Sequence, residues 1–190
     1  MPFSRSELLS FTGGTLPDLI PDPTRLLFVG INPGLLSVAV QAHFAPRGNR
    51  FFPALLAAGI VDRRIDASAG MLPADEHHLK HRGVGITSIV PGASAKASDL
   101  SNDELHEGGR RLRADIQNIR PRVVALLGIG AYRTAFGAPH ATVGRQPIEW
   151  EGTDEVWVVP NPSGLNRHYT TAALAEAYRE VAVRAGIVTA

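Results

Sequence analysis

Four short apolar runs alternate with helical patterns along the chain. The runs cover residues 25–31, 84–90, 122–127 and 155–159, and a proline or glycine turn follows each of them. Helical patterns cover residues 48–58, 101–119 and 171–185, with a further short helix that ends at residue 136. Continuous apolar strands that alternate with helices are typical of a parallel sheet covered on both faces. The pattern predicts an α/β fold, a three-layer α/β/α sandwich with a central, mostly parallel four-stranded sheet.

Local signals set the ends and faces of the helices. Ser101 followed by Glu104 forms a capping-box pattern that predicts a helix start, with Leu105, Leu112 and Ile116 facing inward. In the helix over residues 48–58, Phe51, Leu55 and Leu56 are predicted to share one face. Prolines at positions 17, 21 and 23 indicate that residues 1–24 form an extended lead-in. With no repeat or linker pattern, residues 1–190 are predicted to form a single domain.

The composition limits the kinds of functional site that the chain can contain. The chain has no cysteine, which excludes disulfides, thiolate zinc sites, iron–sulfur clusters and cysteine nucleophiles. The formal net charge is only +1, so any contact with DNA must come from a local patch. No stretch reaches the roughly 20 apolar residues of a membrane span, and the N-terminus does not read as a signal peptide. We therefore expect a cytoplasmic protein without a membrane contact.

The first candidate segment is the turn Gly30-Ile31-Asn32-Pro33-Gly34, which ends the first strand. One interpretation is a strand-terminating turn in which Asn32 bonds its own backbone. The other is that Asn32 holds a small ligand, such as a water, at the strand end. Ligands of open α/β sheets lie beyond the carboxyl ends of the strands, so this turn and residues 161–167 are predicted to face one crevice. Because an amide is a weak base, the rate of a reaction here would depend mainly on how readily the leaving group departs.

Residues 41–52 combine basic and aromatic side chains. His43, Arg47 and Arg50 are candidate phosphate ligands, and Phe44 is a candidate stacking platform because it lies in a loop. At least one of the two phenylalanines that follow belongs to the core of the next helix.

Residues 161–168 place an apolar side chain in a polar turn. Gly164 permits a tight backbone, Leu165 follows it, and Arg167 comes two residues later. An exposed apolar wedge beside a basic residue is suited to prying a base from a stack. The alternative is that Leu165 packs against its own domain.

Taken together and in this order, the segments resemble the mismatch-specific uracil-DNA glycosylase and thymine-DNA glycosylase branch of the uracil-DNA glycosylase superfamily. The resemblance covers roughly residues 25–180 and rests on GINPG, GNRFF, VGITSIV, SNDELHEGGRRL, VVALLG and VWVVPNPSGLNR. It implies a monofunctional enzyme of base excision repair. Such an enzyme flips uracil, preferably mispaired with guanine, out of duplex DNA and hydrolyses its N-glycosidic bond to leave an abasic site. It also implies a monomer with no metal or redox cofactor, associated with the nucleoid when acting on DNA.

The resemblance assigns roles to individual residues. Asn32 would position the attacking water, and Asn161 stands where stronger uracil-DNA glycosylases carry a histidine that stabilises the leaving anion. The base pocket would comprise Gly30, Ile31, Pro33, Phe44 and Ser88, with the ring of Phe44 stacked on the base. The residues expected to contact DNA, with Leu165 as the wedge, are Gly164, Leu165, Asn166, Arg167 and Arg47.

Two positions leave the chemistry open. Ser88 occupies a place where some relatives carry a longer polar side chain, which leaves the substrate range undefined. Asp99, in a loop after the second strand, could supplement Asn32 by activating water. The alternative for Asp99 is a solvated loop acid ahead of the Ser101 cap.

Two other classes of function compete with a glycosylase. One is a non-catalytic binder of damaged or single-stranded DNA on the same fold, since fold does not fix function. A pure binder has no need of Asn32, which favours the enzyme. The other is a nucleotide-processing hydrolase, which the lack of a G-x-x-x-x-G-K-[ST] loop or dinucleotide fingerprint disfavours.

Overall fold

Five strands form the central sheet of the computed structural model, which describes residues 3–189. They are β1 (Leu26–Gly30), β2 (Val84–Ser88), β3 (Val123–Leu127), β4 (Gly144–Arg145) and β5 (Glu155–Val159). The strand order is β2-β1-β3-β5-β4, and all neighbours pair in parallel except β4, which is antiparallel to β5. The predicted α/β architecture with a mostly parallel sheet is therefore confirmed.

The predicted number of four strands is wrong. The fifth strand, β4, is two residues long, lies at the sheet edge, and pairs Gly144 with Val158 and Arg145 with Trp157. A glycine and an exposed arginine form no apolar run, so the sequence pattern carries no sign of this strand. Its pairing depends on the neighbouring strand β5, not on its own side chains.

Within residues 3–189, seven α-helices surround the sheet or pack against one another. They are α1 (Arg5–Leu9), α2 (Leu35–Ala39), α3 (Phe51–Ala57), α4 (Pro73–His81), α5 (Asn102–Ile119), α6 (Ile129–Ala135) and α7 (Thr171–Arg184), with a 3-10 turn at Ala97–Asp99. The capping box predicted for α5 is present: the Glu104 amide donates to Ser101 Oγ at 3.2 Å, and the Ser101 amide donates to Glu104 Oε2 at 2.8 Å. The predicted inward face of Leu105, Leu112 and Ile116 is buried.

The structure differs from the sequence-based predictions in three respects. The lead-in is not extended throughout, because a Ser4–Glu7 capping box starts α1, and only later does Leu19 pair with Ile86 at the sheet edge. Leu56 is 38% exposed and lies off the buried face of α3. The helices α1, α2 and α4 were not predicted. Helices α1 and α2 are each only five residues long, and α4 buries only Asp75 and Leu79.

Side chains of the strands alternate between two cores. On one face, Phe28 packs with Phe51 of α3 and Tyr178 of α7. On the other face, Leu27 and Val29 pack with residues of α5 and α6 and with Trp150. Burial on both faces explains why each strand reads as a continuous apolar run. Within residues 3–189, no helix is both long enough and apolar enough to cross a membrane.

Candidate active site

A cavity of about 820 Å³ opens at the carboxyl ends of the parallel strands. Four segments border it: the 30–34 turn, the loop bearing His43 and Phe44, the loop 94–98, and the turn 161–166. The predicted meeting of the 30–34 and 161–167 segments in one crevice is confirmed. A second cavity of about 560 Å³ lies between α5 and α6 and is lined by none of the predicted site residues.

The floor of the cavity is built from Gly30, Phe44 and Ser88. Gly30 and Ser88 are paired in register at the ends of β1 and β2. A Cβ on Gly30 would lie 3.4 Å from Ser88 Oγ and 3.8 Å from Phe44 Cζ, so a larger side chain there would fill the space beneath the ring. Ile31 and Pro33 also line the cavity. The structure thus brings all five predicted base-pocket residues together.

The ring of Phe44 is held in place from one side. Its centroid lies 3.9 Å from that of Phe51, with the planes 27° apart. The backbone of Phe44 adopts φ +55°, a conformation that costs a non-glycine residue about 1–3 kcal/mol and persists only where the surroundings enforce it. With one face against Phe51, the ring is fixed at the place where it lines the cavity.

Asn32 is oriented by acceptors. Its Nδ2 group donates to Ser94 Oγ at 2.8 Å, to Pro33 O at 3.1 Å and to Gly92 O at 3.2 Å. Among residues 3–189, no hydrogen-bond donor reaches its Oδ1 atom. The side chain therefore offers the cavity an acceptor, which is what the positioning of a water molecule requires.

Asn161 is oriented the opposite way. Its Oδ1 accepts the backbone amide of Ser163 at 2.8 Å, so the group left for a ligand is the Nδ2 donor. That nitrogen lies 3.5 Å from the position of a Cβ on Gly128, at the end of β3. A fixed N–H donor beside a leaving group stabilises developing negative charge. The cavity thus holds one asparagine acceptor and one asparagine donor.

Arg50 holds the 161–169 turn and does not lie free for phosphate. Its Nη2 donates to Ser163 O at 2.8 Å and to Asn166 O at 2.6 Å, and its Nη1 donates to Tyr169 O. The Arg50 amide also donates to Pro162 O at 3.0 Å. Asn166 uses both ends of its side-chain amide inside the turn, bonding Asn161 O at 2.9 Å and the His168 amide at 3.3 Å. The turn is therefore held by hydrogen bonds within the protein itself.

Leu165 projects from this turn with 82% of its surface exposed. The alternative in which it packs against its own domain is wrong. A Cβ on Gly164 would lie 2.6 Å from Gly48 O, so the turn is pressed against the loop before α3. Arg47 and Arg167 are exposed on the same two segments and do not line the cavity. They flank the cavity as surface cations.

His43 lines the cavity but is buried. Burial lowers its pKa, so the ring is neutral at neutral pH. Its Nε2 lies 3.0 Å from Pro17 O, and because a carbonyl only accepts, the proton sits on Nε2. A neutral ring bonded to the backbone is not a phosphate ligand.

Asp99 lies apart from the cavity lining. Its Oδ2 accepts the Lys96 amide at 2.9 Å, and the residue is exposed at the end of the 3-10 turn. Sequence reasoning overlooked Ser94 and Lys96, which do line the cavity. Their position just beyond the carboxyl end of β2, where ligands of such sheets bind, was the signal that could have found them. Among residues 3–189, no cluster of three or more metal-ligating side chains occurs.

The fold and the site together define an α/β domain with a cavity at the carboxyl ends of its parallel strands, beside a protruding leucine. Residues 17–182 match the family model of the uracil DNA glycosylase superfamily, and the chain belongs to that superfamily. Membership implies an N-glycosyl hydrolase that acts on DNA.

A solved structure shows the same fold. It is the solution structure of a protein from Methanosarcina acetivorans that was provisionally described as a uracil DNA glycosylase. The two chains are 18% identical, with a TM-score of 0.58 over 92% of this chain and 98% of the other.

Proposed function

We propose that this protein is a monofunctional, mismatch-specific uracil-DNA glycosylase. It would flip uracil, preferably mispaired with guanine, out of duplex DNA and hydrolyse the N-glycosidic bond to leave an abasic site. The observation that carries the proposal is the pair of oppositely oriented asparagines, Asn32 as acceptor and Asn161 as donor, on either side of one cavity. A protein that only bound DNA would not require this arrangement.

The proposed chemistry follows from the atoms presented. The flipped base stacks on Phe44 above Gly30, while Nδ2 of Asn161 faces the departing pyrimidine. Asn32 Oδ1 accepts a hydrogen bond from a water that attacks the sugar carbon. The glycosidic electron pair leaves with the base, water oxygen forms the new bond, and the water's proton passes to solvent. Because an amide is too weak a base to drive the attack, stabilisation of the leaving anion is the larger contribution.

Preference for mispairs follows from the cost of flipping. Extruding a base costs a few kcal/mol, and least for a mispaired base. Leu165 would occupy the gap left in the stack, with Arg167 and Arg47 on neighbouring DNA. The surface cations near the cavity are few and the net charge is +1, so binding energy is limited and poorly paired bases are favoured.

We propose that the protein works as a monomer on duplex DNA in the cytoplasm, at the nucleoid. The proposed reaction uses only side chains and water, with no cofactor. The base pocket, the two asparagines and the wedge all belong to one chain, so a single copy supplies every group that the proposed reaction uses.

The test is alkaline strand scission of an end-labelled duplex that carries one uracil–guanine pair. Scission only after alkali, and faster for uracil–guanine than for uracil–adenine, is the expected result. A matched thymine–adenine duplex is the control. Tight binding of the uracil duplex without any scission would refute the enzyme and favour a non-catalytic binder of damaged DNA. Scission without alkali would refute the monofunctional assignment.

A further inference from the structure

Hydrogen bonds in the loop between β2 and α5 connect Asp99 to Asn32. None of these bonds involves Gly30, Phe44 or Ser88, which form the cavity floor. Asn32 Nδ2 donates to Ser94 Oγ at 2.8 Å, and Ser94 Oγ donates to Lys96 O at 2.7 Å. The Lys96 amide donates to Asp99 Oδ2 at 2.9 Å, and the Asp99 amide donates back to Lys96 O at 3.0 Å. Four residues thus form one unbroken series.

The direction of each bond in this series is determined. Lys96 O is a carbonyl and only accepts, so the single hydroxyl proton of Ser94 points to it. Ser94 Oγ can then present only lone pairs to Asn32. The other two partners of Asn32 Nδ2, Pro33 O and Gly92 O, are also acceptors. Turning the amide over would set Oδ1 against three acceptors, so the nitrogen stays inward and Oδ1 stays toward the cavity.

Asp99 determines where Lys96 O lies. Its carboxylate and its own amide bond the two backbone groups of Lys96, which closes the 3-10 turn at Ala97–Asp99. The carboxylate does not line the cavity, and its Oδ2 is bonded to the Lys96 amide. The hydrogen bonds that lead from Asp99 toward Asn32 pass through Ser94.

We propose that Asp99 and Ser94 are positioning residues that hold the amide of Asn32 with Oδ1 toward the substrate. Their effect on catalysis rests on the proposed function. The positioning role also replaces the hypothesis that Asp99 activates water. An activating base needs a charge that accepts a proton, whereas a turn cap needs only an oxygen acceptor.

This difference gives opposite predictions for two substitutions. Asp99→Asn keeps an oxygen acceptor for the Lys96 amide, so its excision rate is expected within about twofold of the parent. Asp99→Ala removes the acceptor and is expected to lower the single-turnover rate about 3- to 10-fold, the scale of one hydrogen bond. Asp103→Ala, which removes an exposed carboxylate four residues away, is the matched control and is expected to keep the parent rate.

Substitutions at Ser94 separate a positioning role from a general loss of structure. Ser94→Ala is expected to lower the single-turnover rate about 10-fold with DNA affinity unchanged, and Ser94→Thr to restore it. Because Ser94 acts through Asn32, Ser94→Ala should cost nothing further in an Asn32→Ala background. An equal loss in both backgrounds would overturn the proposal.

A second measurement does not depend on activity. The side-chain amide of Asn32 gives a ¹H–¹⁵N cross-peak that Asn32→Ala identifies by its absence. Ser94→Ala and Asp99→Ala are expected to shift this peak, while Asp99→Asn and Asp103→Ala leave it in place. If these shifts occur in a protein that excises no uracil, the positioning role stands and the proposed function fails. If the parent excises uracil but Asp99→Ala leaves both rate and peak unchanged, or Asp99→Asn abolishes excision, the positioning role is refuted.

Discussion

Replacing Leu165 with alanine should reduce excision from duplex DNA while leaving the free protein intact. The side chain is 82% exposed, so nearly all of its apolar surface is available for burial in a DNA stack. The substitution removes three carbons, which are worth about 2.4 kcal/mol when fully buried at about 0.8 kcal/mol per methylene, or about 2 kcal/mol for the 82% of the surface that is exposed. At about 1.4 kcal/mol per factor of ten, this corresponds to a loss of roughly 30-fold.

The assay compares two substrates under the same conditions. The kcat/KM for uracil in a uracil–guanine duplex should fall by roughly this factor, because the gap left by the flipped base is no longer occupied. For uracil in a single strand, where no stack has to be opened, the loss should stay within about twofold. The melting temperature should barely change, since substitutions of exposed side chains stay within about 0.5 kcal/mol.

Leu72 supplies the matched control. It is 63% exposed and does not line the cavity, so Leu72→Ala should leave both substrates unaffected. Equal losses for Leu165→Ala on duplex and single-stranded uracil would refute the wedge. A large drop in melting temperature would show instead that the leucine supports the fold.

Three further predictions concern the cavity and its rim. Asn32→Ala should keep the fold and DNA binding but lower single-turnover excision about 100-fold or more, and a near-normal rate would remove Asn32 from the mechanism. Gly164→Ala should weaken duplex excision, because its methyl group would lie 2.6 Å from Gly48 O. Gly130→Ala is the control, since open space surrounds that position, and it should keep the parent rate. Equal rates for the two variants would contradict this prediction. Activity should survive excess EDTA, since the described residues contain no metal-ligating cluster, and a loss that magnesium restores would show a missed site.

One more prediction follows from a residue that the sequence did not single out. Lys96 is an exposed cation that lines the cavity, so a contact with DNA phosphate is expected. Lys96→Gln should weaken duplex binding and reduce the slope of log K against log salt by about 0.9. An unchanged slope would show that this lysine does not contact phosphate.

Much of the framework was predictable because its causes are local. The start of α5 follows from Ser101 and Glu104, three residues apart, whose mutual bonds cap the helix without help from the rest of the fold. The strands β1 and β5 were predicted since burial on both faces requires an unbroken apolar run. Gly30, Asn32 and Asn161 were predicted to meet because parallel strands end at one edge.

The roles of several polar side chains depended on distant partners and were therefore misread or missed. Arg50 and His43 are basic residues in a loop, and nothing local distinguishes a phosphate ligand from a side chain bonded to backbone carbonyls. The partners of Arg50 lie 113 to 119 residues away in the chain, and that of His43 lies 26 residues away. Without those partners in view, charge alone suggested phosphate.

The sequence by itself determined the strands, the longer helices and the segments that end at the cavity, because apolar periodicity and helix caps act over a few residues. Only the tertiary structure decided which way the side-chain amide of Asn32 faces. Asn32 is oriented by Ser94, 62 residues later, while Asn161 is oriented within its own turn by the Ser163 amide. An asparagine offers a donor and an acceptor of nearly the same shape, so its orientation depends on whether the surrounding groups are acceptors or donors.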